Sequence, residues 1–328
     1  MKKIIISLIA ASCSLLSIAQ QQEHYSMYMQ NNYLVNPAEG GTEDFIDLKM
    51  GYRTQWTNFD PRFNSTPRTL YLSGHAPIGK HDNKLDGVDQ IAFHGVGGSL
   101  TNDNIGPFNV LAVKGSYAYH LPVSKSLIIS LGAFAGMKQY SVSQEELLFD
   151  SQGGVDPFAA SFKNTIVPDV SVGIWGYAKK YYFGISSFQL LGNKVDFYKN
   201  IEKATTNATP KGALSRHHWL TAGYKVDLTE HFFLVPSFVV KYVQNAPVTF
   251  DFNAKLRYDD KYWAGFSYRR EDAIVAMAGL TLKKVLDLGY AYDITSTDIK
   301  TYSSGTHEII VGLRIPNHQH HPPPAQFW

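Results

Sequence analysis

The sequence predicts an all-β protein, a transmembrane antiparallel β-barrel of about fourteen strands with an extended N-terminal segment and a Pro-rich C-terminal tail. Three observations predict it. Apolar and polar residues alternate with a period of two through most of the chain, as in Asp47–Thr57 (DLKMGYRTQWT). There Leu48, Met50, Tyr52 and Trp56 share one strand face with Thr54, while Lys49, Gly51, Arg53, Gln55 and Thr57 share the other. Short and long connections then alternate along the chain. Finally, 20 Tyr, 19 Phe and 26 Gly accompany only 18% charged residues.

Mean hydropathy is −0.18. Beyond the leader no apolar run reaches the roughly 18 residues that a membrane helix needs. Such a composition fits many short two-faced strands, although a soluble β-propeller shares it. The leader itself is Lys2 and Lys3, then an apolar segment from Ile4 to Ile18, then small residues ending at Ala19. This is the pattern of a secretory signal peptide over residues 1–19. A membrane anchor and a lipid-bearing Cys13 are the alternatives. Cleavage after Ala19 removes the single cysteine, and with it any thiol or disulfide chemistry. It also removes two lysines, so the formal net charge falls from +2 to zero. Nothing in that balance points to nucleic acid.

Residues 20–46 form a periplasmic or plug-like segment, polar and aromatic without a clean period, with turns at Asn36-Pro37 and Gly40-Gly41. The barrel spans 47–315. After the opening strand comes a Pro-bearing loop, then Arg68–Ala76 with Leu70 and Leu72 on one face. Gln90–Leu100 reads as a strand whose many glycines leave its faces ambiguous. From Asn109 the rhythm steadies: Leu111, Val113, Tyr117 and Tyr119 share a face, then Leu127, Leu131, Ala135 and Met137. Val170, Val172 and Ile174 open the next hairpin. The last third is cleanest, for example Phe250, Phe252, Leu256 and Tyr258 against Asp251, Asn253, Lys255 and Arg257. Trp56, Tyr119, Tyr242, Tyr258 and Tyr292 fall near strand ends, as an interfacial girdle requires. Pro236 on an outer face is a blemish, because proline cannot donate to a ladder.

If the chain starts in the periplasm, every second connection is periplasmic and should be short. The short turns (122–126, 178–180, 229–231, 259–261, 283–285) share that parity. The long connections (141–165, 191–215, 295–305) share the other, and Pro77–Asp89 is the one exception. In hydrocarbon an unpaired backbone group costs several kcal/mol, so a spanning sheet must close on itself. Strand charges must then face inward. The inner face carries Lys49, Arg53, Lys138, Asp251, Lys255, Arg257, Arg269, Asp287, Asp293, Glu308 and Arg314. Such a face either lines a water channel or grips an inserted polypeptide. The candidate partner-binding residues are Arg53, Gln55, Lys138, Lys255, Arg257, Arg269 and Arg314, with mutual ion pairing as the alternative.

No catalytic constellation emerges and no cofactor is implied. His217 and His218 are adjacent, so a strand sends them to opposite faces and they cannot share a metal. Glu145-Glu146 and Asp259-Asp260 read as solvated loop carboxylates. Gly95–Gly98 is too short for a phosphate-binding fingerprint and opens no helix. In the tail, 316–328, His318, His320 and His321 read as solvated. Pro322–Pro324 stiffens the chain behind Phe327 and Trp328, a candidate periplasmic docking end.

Four pieces of sequence together resemble a known family. They are Tyr28-Met29, Asn36-Pro37-Ala38, Arg53–Trp56 (Arg-x-Gln-Trp) and Pro67–Ser73, supported by the ending His307–Arg314. Their order is similar to that of the PorP/SprF family of outer-membrane proteins linked to type IX secretion and gliding motility. Glu39 departs from the family, where an aromatic or small residue is expected. The resemblance implies a β-barrel in the outer membrane of a Gram-negative bacterium, surrounded by outer-membrane lipid. It also implies work with periplasmic type IX secretion components and retention of a secreted adhesin at the cell surface through that adhesin's C-terminal domain. A porin-like or small-molecule transport barrel is the alternative; an enzyme is not expected.

Overall fold

The computed structural model describes residues 23–58, 66–80, 91–143, 164–195, 212–244 and 246–317. The leader with Cys13, Glu145-Glu146 and the His- and Pro-rich tail lie outside the described residues. Period-two sequence becomes strand throughout. The chain forms β1 (Phe45–Thr54), β2 (Arg68–Ile78), β3 (Phe93–Ile105), β4 (Phe108–Ser124), β5 (Leu127–Val142), β6 (Thr165–Tyr177) and β7 (Tyr181–Phe188). Two short pieces, β8 (Lys194–Val195) and β9 (Gly212–Ala213), pair with each other. Then come β10 (His217–Tyr224), β11 (Val226–Asp227), β12 (Phe232–Val243), β13 (Thr249–Tyr258), β14 (Tyr262–Arg269), β15 (Ala273–Leu282), β16 (Leu286–Thr295) and β17 (Thr306–Pro316).

Each long strand pairs antiparallel with its sequence neighbour, and β1 pairs β17 from Phe45↔Pro316 to Thr54↔His307. The ring also passes through β7–β10 and β10–β12. It is therefore a closed 14-strand antiparallel barrel with one extra short strand, β11. Closure leaves no row of unpaired N–H and C=O groups for the hydrocarbon to meet.

Pro236 explains the extra strand. On one side Pro236 stays in register with Ala254. On the other the pairing stops at Gly223↔Ser237 and resumes at Val226↔Leu234. The missing proline N–H falls in this gap, so β11 is the continuation of β10 past a two-residue interruption.

Strand lengths run beyond expectation in one hairpin: β4 has 17 residues and β5 has 16. Their outer ends carry the satellite cluster of Tyr140, Val167, Val195 and Leu214, where the β8–β9 piece packs. The glycine-rich stretch is a full strand, β3, and joins β4 through Gly106, whose φ is +54°. Connections at the end that holds Phe45 and Pro316 are short except for 79–92; the other end carries the long connections 55–67, 143–164, 189–216 and 296–305, but also the short ones 106–107, 244–248 and 270–272, so the expected sorting holds for the long loops and not for every short turn. By the short-turn rule the first end is periplasmic and the second faces outward.

The outward side chains are the apolar set. Met50, Tyr52, Leu72, Leu131, Phe252, Phe266 and Ile309 are exposed. Two aromatic belts bound them: Tyr119, Tyr181, Tyr224, Tyr258 and Tyr262 toward the periplasmic end, and Tyr52, Phe108, Tyr242 and Tyr268 toward the outer end. Trp56 sits in the turn after β1 at φ 55° and is half-buried. Every strand charge expected inside is inside: Lys49, Arg53, Lys138, Asp251, Lys255, Arg257, Arg269, Asp293, Glu308 and Arg314 are buried, with Asp287 nearly so. Met50 lies near the middle of β1 on the lipid face. Replacing it with Arg should destabilise the barrel by about 2–4 kcal/mol, read from urea unfolding in lipid vesicles.

Candidate functional site: the lumen and its N-terminal segment

An inner face of charges alone would enclose water. Instead the lumen holds the chain's own segment before β1. Three single 3₁₀ turns, Tyr28–Gln30, Asn32–Leu34 and Pro37–Glu39, carry it. The last is set by sequence chemistry: the Asn36 side chain accepts a hydrogen bond from Ala38 N at 3.0 Å, and Pro37 occupies the first helical position. Met27, Tyr28, Met29, Tyr33, Leu34 and Val35 form one buried cluster with inward residues of the wall, among them Tyr71, Phe134, Phe188, Trp219, Trp263 and Val275. Burying one such side chain contributes roughly 1.5–3 kcal/mol. The barrel thus has an apolar core at mid-depth, between two layers of charge.

The segment runs the length of the lumen. Near the outer end Glu23 faces Lys138 at 3.8 Å. Ser26 N donates to Glu308 Oε2 at 2.6 Å, and Ser26 Oγ to Asp293 Oδ2 at 2.7 Å. Midway, Asn31 Nδ2 donates to Ser73 Oγ at 2.8 Å, Tyr33 OH meets Ser116 Oγ at 2.5 Å, and Ser186 Oγ donates to Val35 O at 2.6 Å. Asn36 Nδ2 donates to two wall carbonyls, Ile174 O at 2.9 Å and Ile185 O at 3.2 Å. Near the periplasmic end His120 Nε2 meets Gly40 O at 2.9 Å, and Gly41 N donates to His75 Nδ1 at 3.1 Å.

The wall makes room for this backbone with glycine. A Cβ on Gly95 would stand 1.8 Å from Gly40 O, one on Gly132 would stand 2.5 Å from Ala38 N, and one on Gly173 would stand 2.0 Å from Asn36 Oδ1. The glycines of Gly95–Gly98 therefore serve close approach of the segment as well as strand geometry.

The expected binding residues fall into two layers. In the outer half Arg53 donates to Asp293 at 3.2 Å, to Ser26 Oγ at 3.3 Å and to Gln55 Oε1 at 3.0 Å, and lies 3.6 Å from Glu308. Arg269 reaches Asp251 at 3.3 Å and Asp272 at 2.9 Å, and Lys241 reaches Asp251 at 3.3 Å. Lys138 belongs to this layer. In the periplasmic half Arg314 clasps Asp287 through two bonds of 2.6 and 2.8 Å, and Arg257 meets Asp260 at 3.3 Å. Lys255 is buried in the same half. Mutual ion pairs are present, and of this set Arg53 and Lys138 also contact the protein's own N-terminal segment, at Ser26 and Glu23. Phe327 and Trp328 lie outside the described residues.

His217 points into the lumen and His218 outward, where its Nδ1 meets Ser187 Oγ at 2.8 Å. Asp259 and Asp260 sit at φ 49° and 51° in a tight turn, each engaged by a cation or histidine. The sequence places Tyr71 opposite Leu70 and Leu72, on the inner face where it is found, but sequence reasoning missed the wall aromatics Phe134, Trp175, Trp219 and Trp263. Each breaks the apolar-out, polar-in alternation, and that breach is the signal by which the occupied lumen is legible.

A closed ring with an apolar belt and a polar, filled interior defines the class: an outer-membrane β-barrel. The sequence matches the family described as type IX secretion system membrane protein PorP/SprF over residues 17–313, and the chain belongs to that family. Among solved structures it is similar to the CymD monoaromatic hydrocarbon channel, with 12% identity over 92% of this chain and 96% of that one and a TM-score of 0.52. It is similar also to a TodX deltaS2S3 mutant monoaromatic hydrocarbon channel, with 9% identity, 88% and 94% coverage and a TM-score of 0.50. The outer membrane protein Omp33 of Acinetobacter baumannii aligns at 8% identity over 84% of this chain and 100% of that one, with a TM-score of 0.45. The likenesses to the two hydrocarbon channels show the fold. No curated protein sequence matches the chain.

Two substitutions test the site. Arg53→Met removes the cation between Asp293 and Glu308 and should cost about 3–5 kcal/mol, the range for breaking a buried ion pair, measured by urea unfolding in vesicles. Gly132→Val puts a side chain where Ala38 lies. It should displace the segment and turn a protease-resistant N-terminus into one that is clipped by added protease in folded, heat-modifiable barrel.

Proposed function

We propose that this barrel anchors, or assists the surface display of, a secreted adhesin-like protein, and that it performs no catalysis. Family membership supports the type IX secretion setting, and one structural observation supports anchoring over transport. The lumen is occupied by the chain's own segment, bonded to the wall from Glu23 at the outer end to Gly41 at the periplasmic end. A porin-like channel needs that space for water and solute. The fold likeness to hydrocarbon channels is a likeness of architecture at 12% identity or less.

In this reading the adhesin's C-terminal domain is held at the outward-facing end, where the long connections and the outer layer of Arg53, Gln55, Lys138 and Arg269 lie. Lys255, Arg257 and Arg314 face the periplasmic mouth. Phe327 and Trp328 serve as a docking end for periplasmic type IX components.

The affinity-tagged barrel taken from its native membrane should bring down a large secreted protein, and in planar bilayers the partner-free barrel should show no steady conductance at modest voltage. A steady open channel without a co-purified secreted protein would replace the anchoring reading with transport. Deleting 318–328 should leave heat-modifiable barrel in normal amount while recovery of periplasmic partners falls; unchanged recovery removes the docking role from the tail.

A further inference from the structure

Nearly every lumen cation has its carboxylate, and Lys255 is the exception. It lies on the inward face of β13, 2% exposed. Among the described residues its ammonium makes no hydrogen bond and no ion pair, whereas the neighbouring cations all do. Directly across the ladder stand Val235 and Gly265, neither of which offers a polar side chain.

The inward charges of the same periplasmic half include Arg257, Lys49 and Arg314, with Asp287 as the carboxylate beside Arg314. That carboxylate is already full. Asp287 takes both bonds from Arg314 and a third from Thr281 Oγ1 at 2.6 Å. Asp47 is bonded to Lys49, and Asp260 to Arg257. On the N-terminal segment Glu39 faces His75 at 3.4 Å, and the buried Glu43 makes no ion pair with Lys255. An ammonium withdrawn from water among like charges is unfavourable unless something negative completes the site.

We propose that Lys255 is the seat of an oxyanion site entered from the periplasmic mouth, taking a carboxylate or phosphate group. Arg257, two residues nearer the rim, lines the approach and is held there by Asp260 of the turn 259–261. Arg314 flanks the anion from β17, already oriented by Asp287. The site is independent of which protein partner the barrel holds.

The test uses the full-length barrel purified in detergent, with thermal unfolding followed in chloride, inorganic phosphate and acetate at matched ionic strength. In the wild type, phosphate or acetate should raise the midpoint by a few degrees over chloride, rising with anion concentration as ligand linkage requires. The stronger of the two names the oxyanion. Lys255→Met should abolish the response and, in chloride, unfold at a higher temperature than wild type, because an uncompensated buried charge is gone. Lys255→Arg should keep the response. The proposal is overturned by an absent response in wild type or by an equal response in Lys255→Met. A Lys255→Met protein less stable than wild type in chloride also overturns it, since the ammonium would then already have its counter-charge.

Discussion

The structure depends on one constraint: a backbone N–H or C=O facing hydrocarbon must be paired. The β1–β17 ladder and the β7–β10–β12 passage exist to meet it, because a sheet of fourteen strands with two free rims would present a row of open groups at each. The same constraint locates the one imperfection. Pro236 cannot donate, and the ladder beside it lapses for two residues before β11 resumes it. The lapse is short, and it lies near the periplasmic end of β10, where Tyr224 and the exposed pair Lys180–Asp227 mark the approach to water.

Closure creates a second problem, the interior. A ring of this size whose inward positions were all polar would be a water-filled tube. This wall instead mixes charge with Tyr71, Phe134, Trp219 and Trp263, and those rings need cover. The N-terminal segment supplies it with Met27, Tyr28, Tyr33 and Val35 at mid-depth. Its polar groups meet the charge layers above and below: Ser26 against Glu308 and Asp293, Gly41 against His75. Stability and occlusion therefore have the same origin. Removing the segment would expose aromatic wall to water and leave Glu308 and Asp293 short of partners, so an opened state is costly by construction.

The barrel was legible in the sequence because alternation of period two is a property of the backbone in lipid, imposed on nearly every strand; connection length helped less, since the outward end also has the short connections 106–107 and 270–272. Outside the glycine-rich stretch, faces were readable from Leu48 to Ile315. The glycine-rich β3 was the weak point for a physical reason. Gly95 and Gly97 face inward and Gly98 outward, so neither face carries the side chains by which alternation is recognised, and the reason for the inward pair lies in a segment some fifty residues earlier. Most lumen cations were found, Lys114 and Lys241 excepted, but not their division into outer and periplasmic layers. That division depends on how far along each strand a residue falls relative to the bilayer, which strand lengths of 8 to 17 residues make variable.

The short motifs that carried the family resemblance take on a shared meaning in three dimensions. Tyr28 receives the Nδ2 hydrogen bond of Asn253, Asn36 caps its own turn and binds two wall carbonyls, and Ser73 receives Asn31. Arg53 joins Ser26 to the outer carboxylates. Pieces that look unrelated along the chain thus meet in one contact, the segment on one side and on the other the barrel wall, at β1 and β2 for Arg53 and Ser73 and at β6, β7 and β13 for Asn36 and Tyr28. Glu39, the departure from the family pattern, fits the same contact by facing His75. A motif of this kind records how the protein closes its own interior. What the partner touches must therefore be sought at the ends of the barrel, where the wall is no longer engaged with the segment.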